Sequence, residues 1–124
     1  MSAAKCQIVF KKGTEMKKSY FPDIIGQIPP VDYGIEGLEV HRSHTGEGTV
    51  YFVAAYQNVS FPEHSHAEQW SVVLDGEAHC RMNGKTFVYR KGDTYVIPAG
   101  VKHQITLLKG YAEADYVADP NDGE

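Results

Sequence analysis

At 124 residues, with 42% hydrophobic and 23% charged side chains, the sequence has the length of one domain and an ordinary globular composition. A formal net charge of -4 with scattered Lys and Arg excludes the basic stripe that binds nucleic acid. No apolar run approaches the ~20 residues that cross a bilayer, and the N-terminal stretch has no signal-peptide h-region of ordinary length, so a cytoplasmic chain without membrane or nucleic-acid partners is expected.

Residues 1–36 are the least regular part and read as an N-terminal arm. Gln7 to Phe10 suits a short strand, and Phe21 to Tyr33 holds Pro22, Gly26, Pro29 and Pro30, which argue against a long helix. Lys11, Lys12, Lys17 and Lys18 read as solvated surface. Cys6 and Cys80 are far apart and form no CxxC pair, so reduced thiols are expected, with a disulfide between them left open.

From Gly37 the pattern is that of strands, and residues 37–118 read as a barrel domain. Leu38 to His44 and Thr49 to Gln57 flank a Thr-Gly-Glu-Gly turn and are rich in β-branched and aromatic residues. His41 and His44 have opposite parity, so one regular strand cannot aim both at one place, and they are read as surface or supporting residues. Gln69 to Leu74 alternates Gln69, Ser71 and Val73 against Trp70, Val72 and Leu74. The second set is wholly apolar and needs cover from a sheet, the arm or another subunit. With Phe52 and Tyr56 nearby, that face predicts a homodimer.

Asp75-Gly76 and Asn83-Gly84 are tight-turn signals that bracket Glu77 to Met82 and lead into Lys85 to Arg90. Ala78, Cys80 and Met82 share one face of the first of these, which makes Cys80 a small inward residue. Thr94 to Ile97, His103 to Leu108 and Tyr111 to Val117 follow, and the acidic tail 119–124 is expected to fray. Many short strands with Gly-containing turns and hardly any helical period indicate an all-β sandwich or barrel.

Two stretches carry the chemistry. His64 and His66 are two apart, so in extended backbone both imidazoles leave the same face. Gln69 joins them if the Ala67-Glu68 link bends; Glu68 takes that place if the chain stays extended. Downstream, a strand ending in Pro98-Ala99-Gly100 delivers His103. Imidazole favours Zn, Cu, Ni and Fe, and three histidines with an oxygen donor suit a first-row divalent ion.

These stretches resemble the two motifs of the cupin superfamily. His64, His66, Gln69 and Gly76 match the first, and Gly92, Pro98, Gly100 and His103 match the second in full. The first departs from the usual pattern in its short link after His66 and in having Gln69 where Glu is common, with Glu68 as competitor. In the second, Leu107 replaces a frequent terminal Asn.

The resemblance implies a cupin-type double-stranded β-helix, or jelly-roll barrel, with His64, His66, Gln69 and His103 holding a divalent transition metal (Zn, Ni, Fe or Mn). It further implies a small-molecule ligand or substrate, and a metalloenzyme of the dioxygenase or isomerase/lyase class acting on an oxygen-rich anion. Small cupins acting on uronate-type sugars share the His-x-His and Gln variant. A non-catalytic binding or sensing module and a purely structural metal-stabilised barrel are the alternatives. Tyr51, Tyr95 and Tyr111 are candidates for proton transfer by parity, or else packing residues.

Overall fold

The computed structural model describes residues 8–10 and 16–124; Cys6 lies outside them. In chain order the elements are β1 (Ile8–Phe10), β2 (Met16–Lys18), one helical turn α1 (Asp23–Gly26), β3 (Leu38–His44), β4 (Thr49–Ala55) and β5 (Val59–Ser60). There follow β6 (Gln69–Asp75), β7 (Glu77–Met82), β8 (Lys85–Arg90), β9 (Thr94–Ile97), β10 (His103–Leu107) and β11 (Ala112–Val117). Among the described residues no helix is long and apolar enough to cross a membrane.

Among the described residues β1 and β2 pair only with each other, whereas the remaining strands form a five-stranded sheet, β3-β4-β11-β6-β9, and a four-stranded sheet, β5-β10-β7-β8. Every pairing is antiparallel. From β6 onward the chain crosses between sheets: β6 lies in the larger, β7 and β8 in the smaller, β9 in the larger, β10 in the smaller and β11 in the larger. This is a jelly roll, in which each crossing brings a new inward face to one shared interior.

Alternation in the sequence sets those faces. β10 buries His103, Ile105 and Leu107 and leaves Gln104 and Thr106 half-buried, while β7 buries Ala78, Cys80 and Met82. The apolar members, Ile105, Leu107, Ala78, Cys80 and Met82, join Val40, Tyr51, Val53, Val73, Tyr95 and Ile97 from the larger sheet in one core. Cys80 is thus an inward core residue, as its parity predicts.

Between β6 and β7, where the chain changes sheets, Gly76 adopts a φ of 72°. A Cβ there would lie 2.7 Å from Tyr111 Cα and 2.8 Å from Gly110 O, so backbone space as well as conformation requires glycine.

The arm has a definite role. Phe21 packs on Ala54 and Ala112, with Ile25, Phe52, Tyr56 and Leu74 around it, covering one end of the larger sheet's outer face. Beneath it, the Glu39 carboxylate accepts from Ser19 Oγ (2.6 Å) and from the Tyr56 hydroxyl. It also meets His41 Nε2 at 2.6 Å, while His41 Nδ1 donates to the Ile28 carbonyl at 2.8 Å. His41 is therefore buried outside the barrel, under the chain's own N-terminal segment. Trp70, opposite Tyr116 and Val96 in the ladder, stays 47% exposed at the uncovered end.

Because backbone atoms occupy the space beside Gly76, Gly76→Ala is expected to lower Tm by at least about 4 °C through combined strain and clash. Thermal unfolding followed by circular dichroism measures it; an unchanged Tm would show that the β6–β7 crossing relaxes freely.

Candidate metal centre

The two histidine-bearing stretches are sewn together by backbone. His64 N–H donates to His103 O (3.0 Å) and His103 N–H returns a bond to His64 O (2.9 Å), making the two residues a directly opposed antiparallel pair. Gly100 N–H, in the turn after Pro98, donates to His66 O at 2.9 Å. The ring centroids of His64, His66 and His103 lie 4.3–5.3 Å from one another. One ligating atom from each falls within 4.8 Å of the others.

In each ring Nδ1 is engaged by a backbone carbonyl: Pro62 O for His64 (2.9 Å), Ala67 O for His66 (2.7 Å) and Val101 O for His103 (2.9 Å). A carbonyl can only accept, so Nδ1 carries the hydrogen and Nε2 keeps its lone pair, the tautomer that a metal-binding histidine needs. Burial lowers the pKa of His103, with smaller contributions from His64 and His66, and so favours the neutral ring. These three imidazoles could hold a metal ion.

They stand at a cavity of about 430 Å³ lined from both sheets. Gln69 is buried and lines it; its Nε2 donates to Ser71 Oγ at 2.8 Å, which leaves the amide oxygen as the group with lone pairs to offer. Glu68 is exposed and does not line the cavity. The open interior argues against the reading as a barrel filled by its own side chains.

Tyr51, Tyr95 and Tyr111 are hydroxyl donors here. Tyr95 donates to Glu113 Oε1 at 2.7 Å, Tyr111 donates to the same oxygen, and Tyr51 donates to Asp122 Oδ2 at 2.6 Å. Burial raises all three phenol pKa values, and the neighbouring carboxylates raise them further, so these phenols stay protonated. Sequence reasoning missed the acids they serve. Glu113 and Asp115 alternate with Ala112, Ala114 and Tyr116 on β11, so an acidic set facing an apolar set was visible there, in the reverse of the usual polar-out pattern.

The tail 119–124 does not fray in the structure but forms part of the cavity wall. Thr49 Oγ1 donates to Asp119 O (2.7 Å), Arg42 Nη1 donates to Gly123 O (3.2 Å), and His44 Nε2 lies 2.8 Å from Glu124 Oε2. Asp122 and Gly123 line the cavity.

A family model for the cupin domain matches residues 51–110, the span that holds both histidine stretches and their connecting hairpin. The chain belongs to the cupin superfamily. An RmlC-like cupin from Shewanella frigidimarina is similar to it at 23% identity and a TM-score of 0.66, covering 78% of this chain and 89% of that one. Oxalate decarboxylase from Bacillus subtilis shares the fold at 16% identity and a TM-score of 0.67, with 81% of this cupin aligned to 30% of that chain. Salicylate 1,2-dioxygenase from Pseudoaminobacter salicylatoxidans, in complex with gentisate, aligns at 17% identity and a TM-score of 0.61, over 68% of this chain and 26% of its own. No curated protein matches the cupin's sequence.

Two outcomes follow for this region. Tyr51→Phe removes a tie to the tail worth about 1 kcal/mol, so amides of residues 119–124 should exchange with deuterium roughly fivefold faster. Unaltered exchange would mean that the other ties hold the tail alone. In metal-free protein, His103 resists protonation when folded but titrates near ~6.5 when unfolded. Stability should therefore fall as pH drops below that value, and His103→Gln should flatten the urea-midpoint profile between pH 7 and 5.

Proposed function

We propose that this cupin is a metalloprotein whose ion is held by His64, His66 and His103, with Gln69 as the fourth ligand. The cavity beside it receives a small, oxygen-rich anion. The observation that carries the reading is the convergence of three imidazoles, each with Nδ1 satisfied by a carbonyl and Nε2 free, at the lining of an open cavity.

The donor set suits a first-row divalent ion such as Zn, Ni, Fe or Mn. With neutral imidazoles and a neutral amide as ligands, such an ion would keep its full charge and supply Lewis acidity toward carboxylate or enediolate oxygens. The protein's part is to hold four neutral donors in place, to wall the ligand with Tyr51, Ile97, Ile105 and Val117, and to limit its size. Oxalate decarboxylase and salicylate 1,2-dioxygenase, which share the fold, are named for small carboxylate anions, in keeping with such a ligand.

The chemistry supported is that of a metal-dependent enzyme of the dioxygenase or isomerase/lyase class, for which Glu113 and Asp115 supply ionisable groups inside the cavity. A binding module would need no such pair of buried acids.

Elemental analysis of protein purified without added metal should find close to one equivalent of a divalent transition metal per chain, and His103→Ala should lose at least tenfold in metal affinity. Full metal content in His103→Ala, or none in wild type after incubation with Zn, Ni, Fe or Mn, would overturn the assignment.

A further inference from the structure

Each donor-bearing side chain in the buried wall of the cavity is already bonded within the protein. Tyr51 donates to Asp122 Oδ2 at 2.6 Å, Tyr95 to Glu113 Oε1 at 2.7 Å, Gln69 Nε2 to Ser71 Oγ at 2.8 Å and His103 Nδ1 to the Val101 carbonyl at 2.9 Å. Among the described residues no lysine or arginine lines the cavity. Tyr33 and Ser65, which also line it with a hydroxyl each, are exposed residues, and Ser65 sits between His64 and His66 in the chain.

Much of the rest of the buried wall is aliphatic. Val40, Val53, Ile97 and Val117 contribute from the larger sheet, and Ile105 and Leu107 from the smaller. Val53 and Ile105 lie on the inward faces of their strands and belong to the core, yet they keep 8% and 9% of their surface accessible, and that surface lies in the cavity. A volume of about 430 Å³ falls in the range of pockets that enclose drug-sized ligands. Water filling such a space would face aliphatic carbon over much of the wall and forfeit hydrogen bonds there.

We propose that the ligand of this cavity is a carboxylate whose oxygens are gathered at one end, toward His64, His66 and His103, and whose body is apolar, without a polyol chain or a second anionic group. The inference rests on the metal-and-anion reading above and adds to it the character of the ligand's other end.

The cost of the excluded groups follows from the wall. A polyol body would give up its hydrogen bonds to water for contact with valine and isoleucine, and each oxygen left without a donor costs the free energy of its desolvation. Glu113 and Asp115 are acids, so a ligand hydroxyl that donates to one of them still lacks a donor for its own oxygen. A second carboxylate would need a cation or several donors, and it would stand near Glu113, whose Oε1 already receives the hydroxyls of Tyr95 and Tyr111. An apolar body meets none of these costs, and its burial is favourable in proportion to the area it removes from water.

The test is calorimetric titration of zinc-loaded protein with four acids that share an α-hydroxycarboxylate head and differ only at the next carbon. Lactate carries hydrogen there, glycerate a hydroxyl, malate a carboxylate and phenyllactate a phenyl ring. Phenyllactate should bind at least about tenfold tighter than lactate, with a more negative heat-capacity change, while glycerate and malate bind no tighter than lactate. Ile105→Thr replaces apolar surface in the wall by a hydroxyl and should weaken phenyllactate roughly fivefold more than lactate. Val53→Thr, which keeps the side-chain volume, is the second variant and should act in the same direction.

Glycerate or malate binding as tightly as phenyllactate, or equal losses for phenyllactate and lactate in both variants, would overturn the proposal. Zinc content is measured on every sample. Zinc and lactate bound without any gain from the phenyl ring overturn this inference alone. Zinc absent from wild type, or none of the four acids bound, overturns the metal-and-anion reading and this inference with it.

Discussion

The constraint on which the rest of the site depends is the reciprocal backbone pairing of His64 with His103, seconded by the bond from Gly100 to the His66 carbonyl. Residues almost forty positions apart in sequence become direct neighbours, and their rings inherit an orientation from the ladder before any side-chain contact is made. Three carbonyls then turn each ring so that Nδ1 faces protein and Nε2 faces its counterparts. Backbone thus does the positioning at both levels, through the strands that bring the rings together and through the carbonyls that choose the tautomer. An ion held by these rings would meet a site already ordered, which lowers the entropy cost of binding it.

Such order has an energetic counterpart in the interior. A jelly roll of this size closes most readily around aliphatic side chains, yet the inward faces here include Gln69, Ser71, Glu113 and Asp115. Burying these groups is tolerable because most are paired: Gln69 with Ser71, and Glu113 with the hydroxyls of Tyr95 and Tyr111. Tyr89 stacks on Tyr95 with ring centroids 3.9 Å apart, which holds one of those donors in place. The polar interior is a network in which tyrosines bridge between apolar core and buried acid, each ring packed and each hydroxyl committed. Cores of this kind exchange some stability for function.

Much of the architecture was legible because alternation and turn chemistry agree. Leu38–His44, Glu77–Met82, Lys85–Arg90 and Thr94–Ile97 occur as strands with the bounds read from sequence, each delimited by Gly-containing turns that leave little freedom of register. What the sequence hid has physical reasons. Met16–Lys18 and Val59–Ser60 are too short for a period to show, and each is a strand only because a neighbour offers a ladder. The acidic face of β11 contradicts the rule that charges point outward, so the alternation visible there points to the wrong face as the inner one. Gln69 was ambiguous with Glu68 because the choice turns on the bend at Ala67; the structure buries the amide and leaves the carboxylate exposed. His41 and the acidic tail were misread for a shared reason, since their partners, the Ile28 carbonyl, Thr49, Tyr51 and Arg42, are distant in sequence.

The tail has a consequence for anything joined to it. Residues 122 and 123 belong to the cavity lining, and Glu124 is held against His44 and Arg42. A polypeptide continuing from Glu124, whether an affinity tag or a fused partner, would start one residue beyond that lining. Tethering of that kind raises the effective concentration of its side chains at the cavity to the millimolar range over a short flexible link. A run of histidines appended there would compete with the three imidazoles for any divalent ion, so the choice of terminus for a purification handle becomes a chemical variable of the protein.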